Sequence, residues 1–593
     1  MSGGRNYHNR RKRTAHFSQL IMPQYLWKIG GEAGFGILTT GTFFSKIASR
    51  LGYFIFDYIQ YPSLIRGGHN TYNVGFSDEP VYSLKQTIDM LVCLNKDTYT
   101  FHKDKLGPNS LIVYDKDEFE IADPVIKIHI PLKKTLSELK GQVVMKNTIA
   151  LGASLALLGA DITVLHELLM SQFGRKGEAI VNVNKQFSEA GYTYVLTNYK
   201  EHIKPLLVKR ENPSQLVISG NETFSLAASV ADCRLYVAYP MTPSSTVLTV
   251  LAGWQGKTNM VVRHAEDEIS VINTALGGSL AGVRTSVGTS GGGFALMVES
   301  ISFAGIAEIP IVIFLAQRSG PATGMPTWTE QGDLLFAIHA GHGEFPKIVL
   351  APGDNDEMFE LTMKAFDLAD IYQVPVIVMS DMLLSESHRS LSKDLVEKHI
   401  KEYKPNRGKQ INSVDQSPYL RYRITDDGIS PHLIPGAEGA YYQSNSYEHL
   451  EDGHTTEEAL DRINQVDKRA RKTQTYLKSH FSPPTVYGDM DSAEIVFLAW
   501  GSTKGPVREA QRLLEKKGKK TALLHFTHLF PMDKETVLPF FNKEKRYILV
   551  ENNSTAQFGK LLRMELGVDL KETVLKYDGR PISMEEIVNF ILK

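Results

Sequence analysis

The sequence predicts an α/β protein built from several open, mostly parallel sheets. Apolar strand candidates alternate with helical patterns over most of the chain, and glycine-rich or capped turns join them. The 593 residues accommodate about four domains at ordinary domain size. Hydrophobic residues make up 42% and charged residues 22%, which is typical of globular domains with substantial cores.

Charge and cysteine usage exclude several classes of protein. The 65 Lys and Arg balance 66 Asp and Glu, so the chain has no overall field to attract nucleic acid. Cys93 and Cys233 are the two cysteines, too few for an iron–sulfur cluster or a Cys₄ zinc site in one chain. The longest apolar run, at residues 148–160, is shorter than the about 18 residues of a membrane span. These features predict a cytoplasmic protein without a membrane segment.

The first block begins as a strand–turn–helix unit. Residues 1–24 are basic and lack an apolar region, which favours a disordered tail. Over residues 25–210 the pattern predicts strands at 25–29 and 53–57 and helices at 37–50, 147–158 and 162–173. The glycine turn between the first strand and helix is typical of the start of a βαβ unit.

The second block, residues 214–400, alternates strands and helices most clearly. Strands are predicted at residues 234–239, 260–264, 283–288, 310–318, 346–351 and 374–380. Such alternation indicates a parallel sheet that is covered on both faces.

A polar stretch separates this block from the last one. Residues 401–484 show no sustained periodicity, and their length predicts an extended crossover packed on neighbouring domains. Over residues 485–593 the βαβ pattern returns, with strands at 493–500, 520–526 and 546–551 and helices at 506–517 and 556–567.

Chemistry-bearing residues follow four strands of the second block. They are YPMTPSS at residues 239–245, RHAEDE at 263–268, GTSGGG at 288–293 and RSGPATGMPT at 318–327. Each segment alone is more typical of a turn or a helix start than of a ligand site. Because ligands of open parallel sheets bind beyond the carboxyl ends of the strands, their coincidence predicts one crevice.

Two further motifs leave alternatives open. The sequence G-T-S-G-G around Ser290 matches a hydrolase nucleophile elbow, although no acid with the required chain order follows a strand. In the first block the bare backbone of Gly31, Gly34 and Gly36 and the segment Arg66, Gly67 and Gly68 suit a phosphate group, or form two tight turns.

The strand-end sequences resemble those of the α subunit of 2-oxoacid:ferredoxin oxidoreductases. Further matches are GHGEFP at residues 341–346, YRITDDG at 422–428 and Glu448-His449 with Gly453. GEAGFG at residues 31–36 and IRGGHN at 65–70 resemble the family's γ subunit. The γ part stands ahead of α, an arrangement typical of the 2-oxoglutarate type.

The resemblance implies a thiamine-diphosphate enzyme that decarboxylates a 2-oxoacid, forms an acyl-CoA and reduces ferredoxin. It identifies residues 25–210 as a γ domain associated with CoA, and residues 214–400 as an aminopyrimidine-binding domain. Residues 485–593 correspond to a transketolase C-terminal-like domain. The CoA residues would be Gly31, Gly34, Gly36, Arg66, Gly67 and Gly68.

The family pattern assigns the catalytic carboxyl to Glu268, with Glu266 as second choice. A carboxyl in an apolar site stabilises the imino tautomer of the aminopyrimidine by sharing a strongly held proton. Tyr239, Pro240, Met241 and Thr242 would line the cofactor. Arg318 would pair with the substrate carboxylate, and Thr242 and Thr327 would donate hydrogen bonds to it.

Two signatures of the family are absent from this sequence. It has no G-D-G motif for Mg²⁺ and diphosphate and no four cysteines for a [4Fe-4S] cluster, and both belong to the family's β subunit. We therefore expect a β partner, in an αβ or (αβ)₂ assembly, with ferredoxin as electron acceptor. Alternatives are the same enzyme acting on pyruvate or on many 2-oxoacids, a serine hydrolase using Ser290, and a non-catalytic scaffold.

Overall fold

The computed structural model describes residues 22–34, 36–63, 68–212, 215–414, 417–438 and 440–593. Of the predicted tail, residues 1–21 lie outside this part. Met22 and Gln24 are described, and they hydrogen-bond to Asp78 and to the carbonyl oxygen of Ser83. The tail predicted over residues 1–24 therefore extends too far, since its last residues pack on the first sheet. No helix in the described part is both long and apolar enough to cross a lipid bilayer.

The first segment contributes six strands and six helices. They are β1 (Tyr25–Glu32), α1 (Ile37–Arg50), β2 (Phe54–Gln60), β3 (His69–Ser77), β4 (Ile88–Cys93), α2 (Lys96–His102), β5 (Leu106–Tyr114), β6 (Ile126–His129), α3 (Leu132–Glu138), α4 (Met145–Leu157), α5 (Thr163–Phe173) and α6 (Glu178–Asn198). The apolar side of α1 packs on β1, where Phe44 stacks on Trp27 with ring centroids 4.2 Å apart.

The second segment contains the alternation that its sequence predicts. Its elements are β7 (Gln215–Ser219), α7 (Gly220–Val230), β8 (Leu235–Ala238), α8 (Ser245–Thr258), β9 (Val261–His264), α9 (Glu268–Leu280), β10 (Thr285–Thr289), α10 (Gly291–Ile306), β11 (Ile311–Gln317), α11 (Leu334–His339), β12 (Ile348–Leu350), α12 (Asn355–Tyr372), β13 (Pro375–Asp381), α13 (Met382–Glu386), β14 (His388–Ser392) and α14 (Lys393–Glu402).

The first sheet is mixed and includes strands from both segments. Its order is β6-β5-β4-β1-β3-β2-β14-β7. β3 lies antiparallel between β1 and β2, so the predicted βαβ unit is split by an inserted strand. β14 and β7 complete the sheet although they belong to the second segment. This pairing joins the two segments because their backbone hydrogen bonds form one continuous ladder.

The second sheet is parallel except at one edge. Its described strands run in the order β12-β13-β11-β10-β8-β9, all parallel, as the alternation predicts. β9 forms one edge, and an antiparallel strand from the last segment pairs with β12 at the other. The interior strand β11 is buried along its whole length. The four strand ends that the sequence singles out therefore belong to β9, β8, β10 and β11, which are neighbours in this sheet.

The crossover contains a long helix that its sequence does not predict. Its elements are β15 (Gln410–Ile411), β16 (His432–Leu433) and α15 (Ala459–Ser479). Polar residues form the buried side of α15, and Lys468 and Lys472 lie 2.5 and 2.6 Å from the buried carboxylate of Glu308. The prediction of an extended crossover does not include this helix, because its buried stripe is ionic rather than apolar.

The last segment forms a five-stranded sheet and shares a core with the second segment. Its elements are β17 (Thr485–Tyr487), β18 (Ile495–Trp500), α16 (Lys504–Lys516), β19 (Thr521–Phe526), β20 (His528–Phe530), α17 (Lys534–Val537), β21 (Arg546–Glu551), α18 (Gln557–Leu566), β22 (Glu572–Leu575) and α19 (Met584–Leu592). The order is β17-β19-β18-β21-β22. Trp500, Phe526 and Phe558 pack into one core with Val287 and Ile313 of the second sheet. The two segments are therefore fixed by a common apolar core.

Candidate active site

Four neighbouring strands of the second sheet end at one edge of that sheet, where the sequence predicts a crevice. β9, β8, β10 and β11 are adjacent and parallel, so their carboxyl ends lie at the same edge of the sheet. The loops after them carry Glu268, Tyr239, the glycines after Ser290, and Arg318. Contacts among these loops define which of the predicted residues come together.

Glu268 is the buried acid of the crevice. It is the first residue of α9 and is 3% exposed, whereas Glu266 and Asp267 are exposed. Asp267 caps the helix by accepting a hydrogen bond of 2.7 Å from the amide of Ser270. Glu268 Oε1 is buried and has no hydrogen-bond partner among the described residues. Burial raises the pKa of Glu268 above its ordinary value, which favours a carboxyl that can hold a proton.

The glycines that follow β10 bring the loops into contact. A Cβ placed on Gly293 would lie 2.4 Å from Glu268 Oε1 and 2.3 Å from Thr289 Oγ1. A Cβ on Gly291 would lie 2.6 Å from Asp333 Oδ2, and one on Gly292 4.0 Å from Met241 Sδ. Only glycine leaves room for the carboxyl group of Asp333 at residue 291 and for that of Glu268 at residue 293.

Arg318 links the end of β11 to the end of β8. Its Nη1 donates a hydrogen bond of 2.8 Å to the carbonyl oxygen of Thr242, and its buried Nε has no acceptor in the described part of the chain. Burial lowers the pKa of Arg318, and the carboxylate of Asp333 opposes this. Burial and Glu330 raise the pKa of Asp333 to about 6, against the opposing charge of Arg318. Arg318 is thus a cation that forms no ion pair with a carboxylate in the described part of the chain.

Tyr239, Pro240, Met241 and Thr242 form the wall after β8. Tyr239 is 38% exposed, and its ring lies 6.1 Å from that of His264, between centroids. Met241 and Thr242 are partly exposed. These side chains would offer an apolar surface and a hydroxyl to a ligand.

Thr327 makes a contact that its predicted role does not include. Its hydroxyl donates a hydrogen bond of 2.7 Å to the carbonyl oxygen of Tyr61, in the first segment. The hydroxyl hydrogen is therefore engaged, and a role in substrate binding requires this bond to change. The contact nevertheless brings the loop that precedes residues 64–67 to the edge of the crevice.

The described glycines of the first segment lie close together. Gly34 and Gly36 have φ values of 94° and 71°, and Gly36 starts α1. Gly31 pairs with Asn70 in the sheet, and the amide of Ala33 donates to the carbonyl oxygen of Gly68 over 3.4 Å. Arg66 and Gly67 lie outside the described residues. The positions of Gly31, Gly34, Gly36 and Gly68 form one backbone surface at the amino end of α1.

Ser290 lacks the geometry of a hydrolase nucleophile. Its backbone is extended, with a φ of −119°, rather than strained as in a nucleophile elbow. The Oγ is buried and has no hydrogen-bond partner among the described residues, so no histidine activates it there. His342 is exposed, and its backbone amide donates a hydrogen bond of 2.8 Å to Ser302 Oγ. The structure therefore does not support the hydrolase alternative.

Sequence reasoning missed the place of Asp333 in the crevice. Asp333 precedes α11 and does not follow a strand directly, so the strand-end pattern does not point to it. Its carboxylate lies against Gly291 and its amide donates to Gln317 Oε1 over 3.0 Å. An acid immediately before the apolar helix α11 was the available signal.

One cluster of two aspartates and a histidine elsewhere has a spacing that could hold a metal ion. Ligand atoms of Asp115, Asp117 and His129 lie within 4.8 Å of one another. Asp115 accepts the amides of Asp117 and Lys133 over 3.0 and 2.9 Å, which gives it a structural role at a turn. This group contains no residue of the crevice.

Comparison with known proteins identifies the family. A curated 2-oxoacid:ferredoxin oxidoreductase subunit alpha from a Sulfolobus species is 32% identical over 96% of this chain and 96% of its own length. This chain belongs to the 2-oxoacid:ferredoxin oxidoreductases. The 2-oxoglutarate oxidoreductase subunit KorA of Mycobacterium tuberculosis is 28% identical over 95% of this chain and 90% of its own. The chain is thus an oxidoreductase subunit of this family.

Three family models match separate parts of the chain. Residues 226–468 match the thiamine-diphosphate-binding model of pyruvate flavodoxin/ferredoxin oxidoreductases. Residues 26–194 match the pyruvate ferredoxin/flavodoxin oxidoreductase model, and residues 488–562 match the transketolase C-terminal domain.

A solved structure of the family has the same fold. It is the 2-oxoglutarate:ferredoxin oxidoreductase from Magnetococcus marinus with 2-oxoglutarate, coenzyme A and succinyl-CoA bound. It is 31% identical, with a TM-score of 0.89 over 96% of this chain and 99% of that chain. The predicted α/β class and the predicted family are therefore confirmed.

Proposed function

We propose that this chain is the α subunit, with a γ domain fused ahead of it, of a 2-oxoglutarate:ferredoxin oxidoreductase. The reaction is the reversible conversion of 2-oxoglutarate and CoA into succinyl-CoA and CO₂, with two electrons passed to ferredoxin. The buried carboxyl of Glu268, with its unpartnered Oε1 beside a run of glycines, carries this proposal. The Magnetococcus marinus relative, which binds 2-oxoglutarate and CoA, supports the choice of substrates.

The residues present fit an aminopyrimidine ring. Oε1 of Glu268 requires a polar partner, and Gly293 lies so close to it that an added Cβ would be 2.4 Å away. Tyr239 and Met241 supply apolar surface on the β8 side. When bound, thiamine diphosphate supplies the nucleophilic carbon for decarboxylation of a 2-oxoacid. Burial raises the pKa of Glu268, and its carboxyl would share a proton with the ring nitrogen.

Arg318 and Thr242 would orient the substrate. A guanidinium with an unused buried Nε can bind a carboxylate through two parallel hydrogen bonds. The Thr242 carbonyl oxygen accepts a hydrogen bond from this guanidinium, and the Thr242 hydroxyl would donate to the substrate. Asp333 lies near enough to discourage a second anion from approaching Arg318 from that side.

CoA would bind at the glycines of the first segment. Gly34 and Gly68 are exposed near the amino end of α1, where a phosphate is favoured, and the buried Gly31 and partly buried Gly36 complete the proposed site. Arg66 and Gly67 belong to the same proposed site. The hydrogen bond from Thr327 to Tyr61 joins this segment to the loop after β11.

The remaining cofactors would belong to a partner chain. Cys93 and Cys233 are both buried, and burial raises the pKa of Cys233 to about 12. Neither sulfur is available as a thiolate ligand. We therefore assign the [4Fe-4S] cluster and Mg²⁺ to a β subunit. Purified alone, the chain should contain no labile iron, and co-expression with a cysteine-bearing partner should add it.

The test of the function uses the assembled enzyme and two matched variants. Reduction of a viologen dye is followed with 2-oxoglutarate, pyruvate and CoA. Glu268→Gln should lower kcat by at least about a hundredfold, since it removes an acid–base group, with little change in assembly. Glu266→Gln, two residues away but exposed, should retain activity. Wild-type activity in Glu268→Gln would contradict the role proposed for Glu268. A preference for pyruvate over 2-oxoglutarate would contradict the proposed substrate.

A further inference from the structure

A cavity of about 310 Å³ lies between the first sheet and the turn that follows β22. It opens on the face of the sheet opposite α1, since Trp27 packs on α1 whereas Leu26 and Lys28 line the cavity. None of the crevice residues Tyr239, Glu268 and Arg318 lines it, nor do the described glycines at the amino end of α1. It is therefore separate from both sites proposed above.

Lys28 is the principal feature of this cavity. Its side chain is buried, with 2% of the residue exposed, although an ammonium group is costly to bury without a partner. Among the described residues, its Nζ donates one hydrogen bond, a long one of 3.5 Å to Gln60 Oε1. No carboxylate lies within 4 Å of it in the described part of the chain. Burial lowers the pKa of Lys28 well below its ordinary value, and Lys105 lowers it further.

A second buried polar group also lacks a partner. The Oγ of Ser83 lines the same cavity and has no hydrogen-bond partner among the described residues. Buried polar atoms are nearly always paired, so each unpaired one requires an explanation. An anion in the cavity would accept a hydrogen bond from both Lys28 and Ser83.

The charges around the cavity leave an excess of cations. Its lining includes five basic residues, namely Lys28, Lys85, Lys105, Lys576 and Arg580. The two lining acids, Asp578 and Glu586, both pair with Lys576, at 3.1 and 2.7 Å. Lys85 pairs with Asp89 at 2.6 Å. In the described structure Lys28, Lys105 and Arg580 therefore have no carboxylate partner.

We propose that this cavity binds a small anion with two or more negative charges, such as a phosphate ester or a di- or tricarboxylate. The volume is at the lower end for ligand pockets, which suits a small metabolite rather than a dinucleotide. Lys28 and Ser83 would hold the anion at the base of the cavity, and Lys105 and Arg580 would contact it nearer to solvent. Binding would give the buried ammonium of Lys28 the counter-charge that the described chain does not supply.

The turn that forms one side of the cavity also contacts the active-site loop. The guanidinium of Arg580 stacks on Trp328, 3.3 Å from the ring centroid. The amide of Thr329 donates to the carbonyl oxygen of Gly579 over 3.2 Å. The anion site would thus share this turn with the loop that carries Thr327.

Calorimetric titration of the full chain tests the proposal without any turnover. Inorganic pyrophosphate and citrate are titrated separately at low ionic strength, and the tighter of the two identifies the class of anion. Lys28→Met and Lys105→Gln should each weaken binding at least about tenfold. Lys103→Gln is the matched control, since Lys103 is exposed in the same turn and does not line the cavity. It should change the affinity less than about twofold.

Thermal melts keep the test decisive if one variant folds poorly. Pyrophosphate or citrate should raise the melting temperature of the wild type and of Lys103→Gln by mass action. The rise should disappear in Lys105→Gln, whose exposed side chain leaves the fold intact. The proposal is overturned if neither anion binds, or if both cavity variants bind as tightly as the control. In the latter case the anion binds elsewhere on the chain.

Discussion

Arg318 donates a hydrogen bond of 2.8 Å from Nη1 to the carbonyl oxygen of Thr242, while its buried Nε contacts no acceptor in the described structure. A structural arginine in this position would pair with a protein carboxylate. This one is held by a neutral carbonyl and keeps part of its guanidinium unused. The arrangement favours a role in binding an anion that arrives with the substrate.

Arg318→Met should therefore impair substrate binding more than stability. We expect the Michaelis constant for 2-oxoglutarate to rise by about one to two orders of magnitude, because a charge-assisted bidentate contact contributes a few kcal/mol. The melting temperature should change little. Steady-state kinetics and thermal melts of the assembled enzyme measure both. Arg563→Met is the control, since Arg563 is largely exposed on α18. An unchanged constant with a large fall in melting temperature would make Arg318 a structural residue.

Gly293→Ala should displace the carboxyl of Glu268. The added Cβ would lie 2.3 Å from Thr289 Oγ1 and 2.4 Å from Glu268 Oε1, so one of these side chains must move. Overpacking of this kind costs about 1–3 kcal/mol. We expect at least about a tenfold fall in kcat, since the carboxyl leaves its productive position. Gly253→Ala is the matched control, because a Cβ there meets no atom within 4 Å. Equal activity of both variants would argue against a precise role for the position of Glu268.

Much of the crevice could be predicted because its sequence signals are local. Apolar strands end at prolines, glycines or acids, and the order of the strands then brings their ends together. The predicted bounds of α1 and β21 agree with the structure, at Ile37–Arg50 and Arg546–Glu551. Asp333 was not assigned to the crevice because its position depends on the path of the loop after β11, which has no periodic pattern.

Long-range pairing and ionic packing explain what the sequence did not reveal. β7 and β14 join the first sheet across more than a hundred residues, and no local period encodes that choice of partner. In α15 the buried stripe includes Gln465, Lys468 and Lys472, so hydrophobic periodicity indicates no helix. Its position depends on Glu308, which belongs to another segment of the chain.

Glu308→Gln should destabilise the packing of this crossover. Burial would raise the pKa of Glu308, but Lys468 and Lys472 outweigh this and lower it, so the carboxylate is charged. Its loss leaves two buried ammonium groups without a counter-charge, which costs about 3–5 kcal/mol for a broken buried ion pair. We expect a clearly lower melting temperature. Glu397→Gln removes an exposed partner of Lys393 and should change stability by less than about 1 kcal/mol. Equal melts of the two variants would contradict the role of Glu308.

The contact between the first sheet and α7 should weaken at alkaline pH. His388 Nδ1 lies 3.2 Å from the buried carboxylate of Asp57, and its Nε2 lies 3.8 Å from Glu222. Burial alone would lower the pKa of His388, but Asp57 outweighs this, with smaller contributions from Glu222 and Glu386, and raises it to about 9. The folded protein therefore holds this proton more tightly than the unfolded chain does.

The sign of the pH dependence follows from this difference. The stabilisation is fully present below the unfolded pKa of about 6.5 and is lost as the pH rises through about 9. Its magnitude is on the order of 3 kcal/mol. Melting temperatures of the wild type and His388→Gln are compared between pH 6 and 10, and the advantage of the wild type should shrink towards zero. His454→Gln is the control, since His454 is half exposed and should show no such trend. A difference between wild type and His388→Gln that stays constant with pH would mean that His388 contributes packing rather than charge.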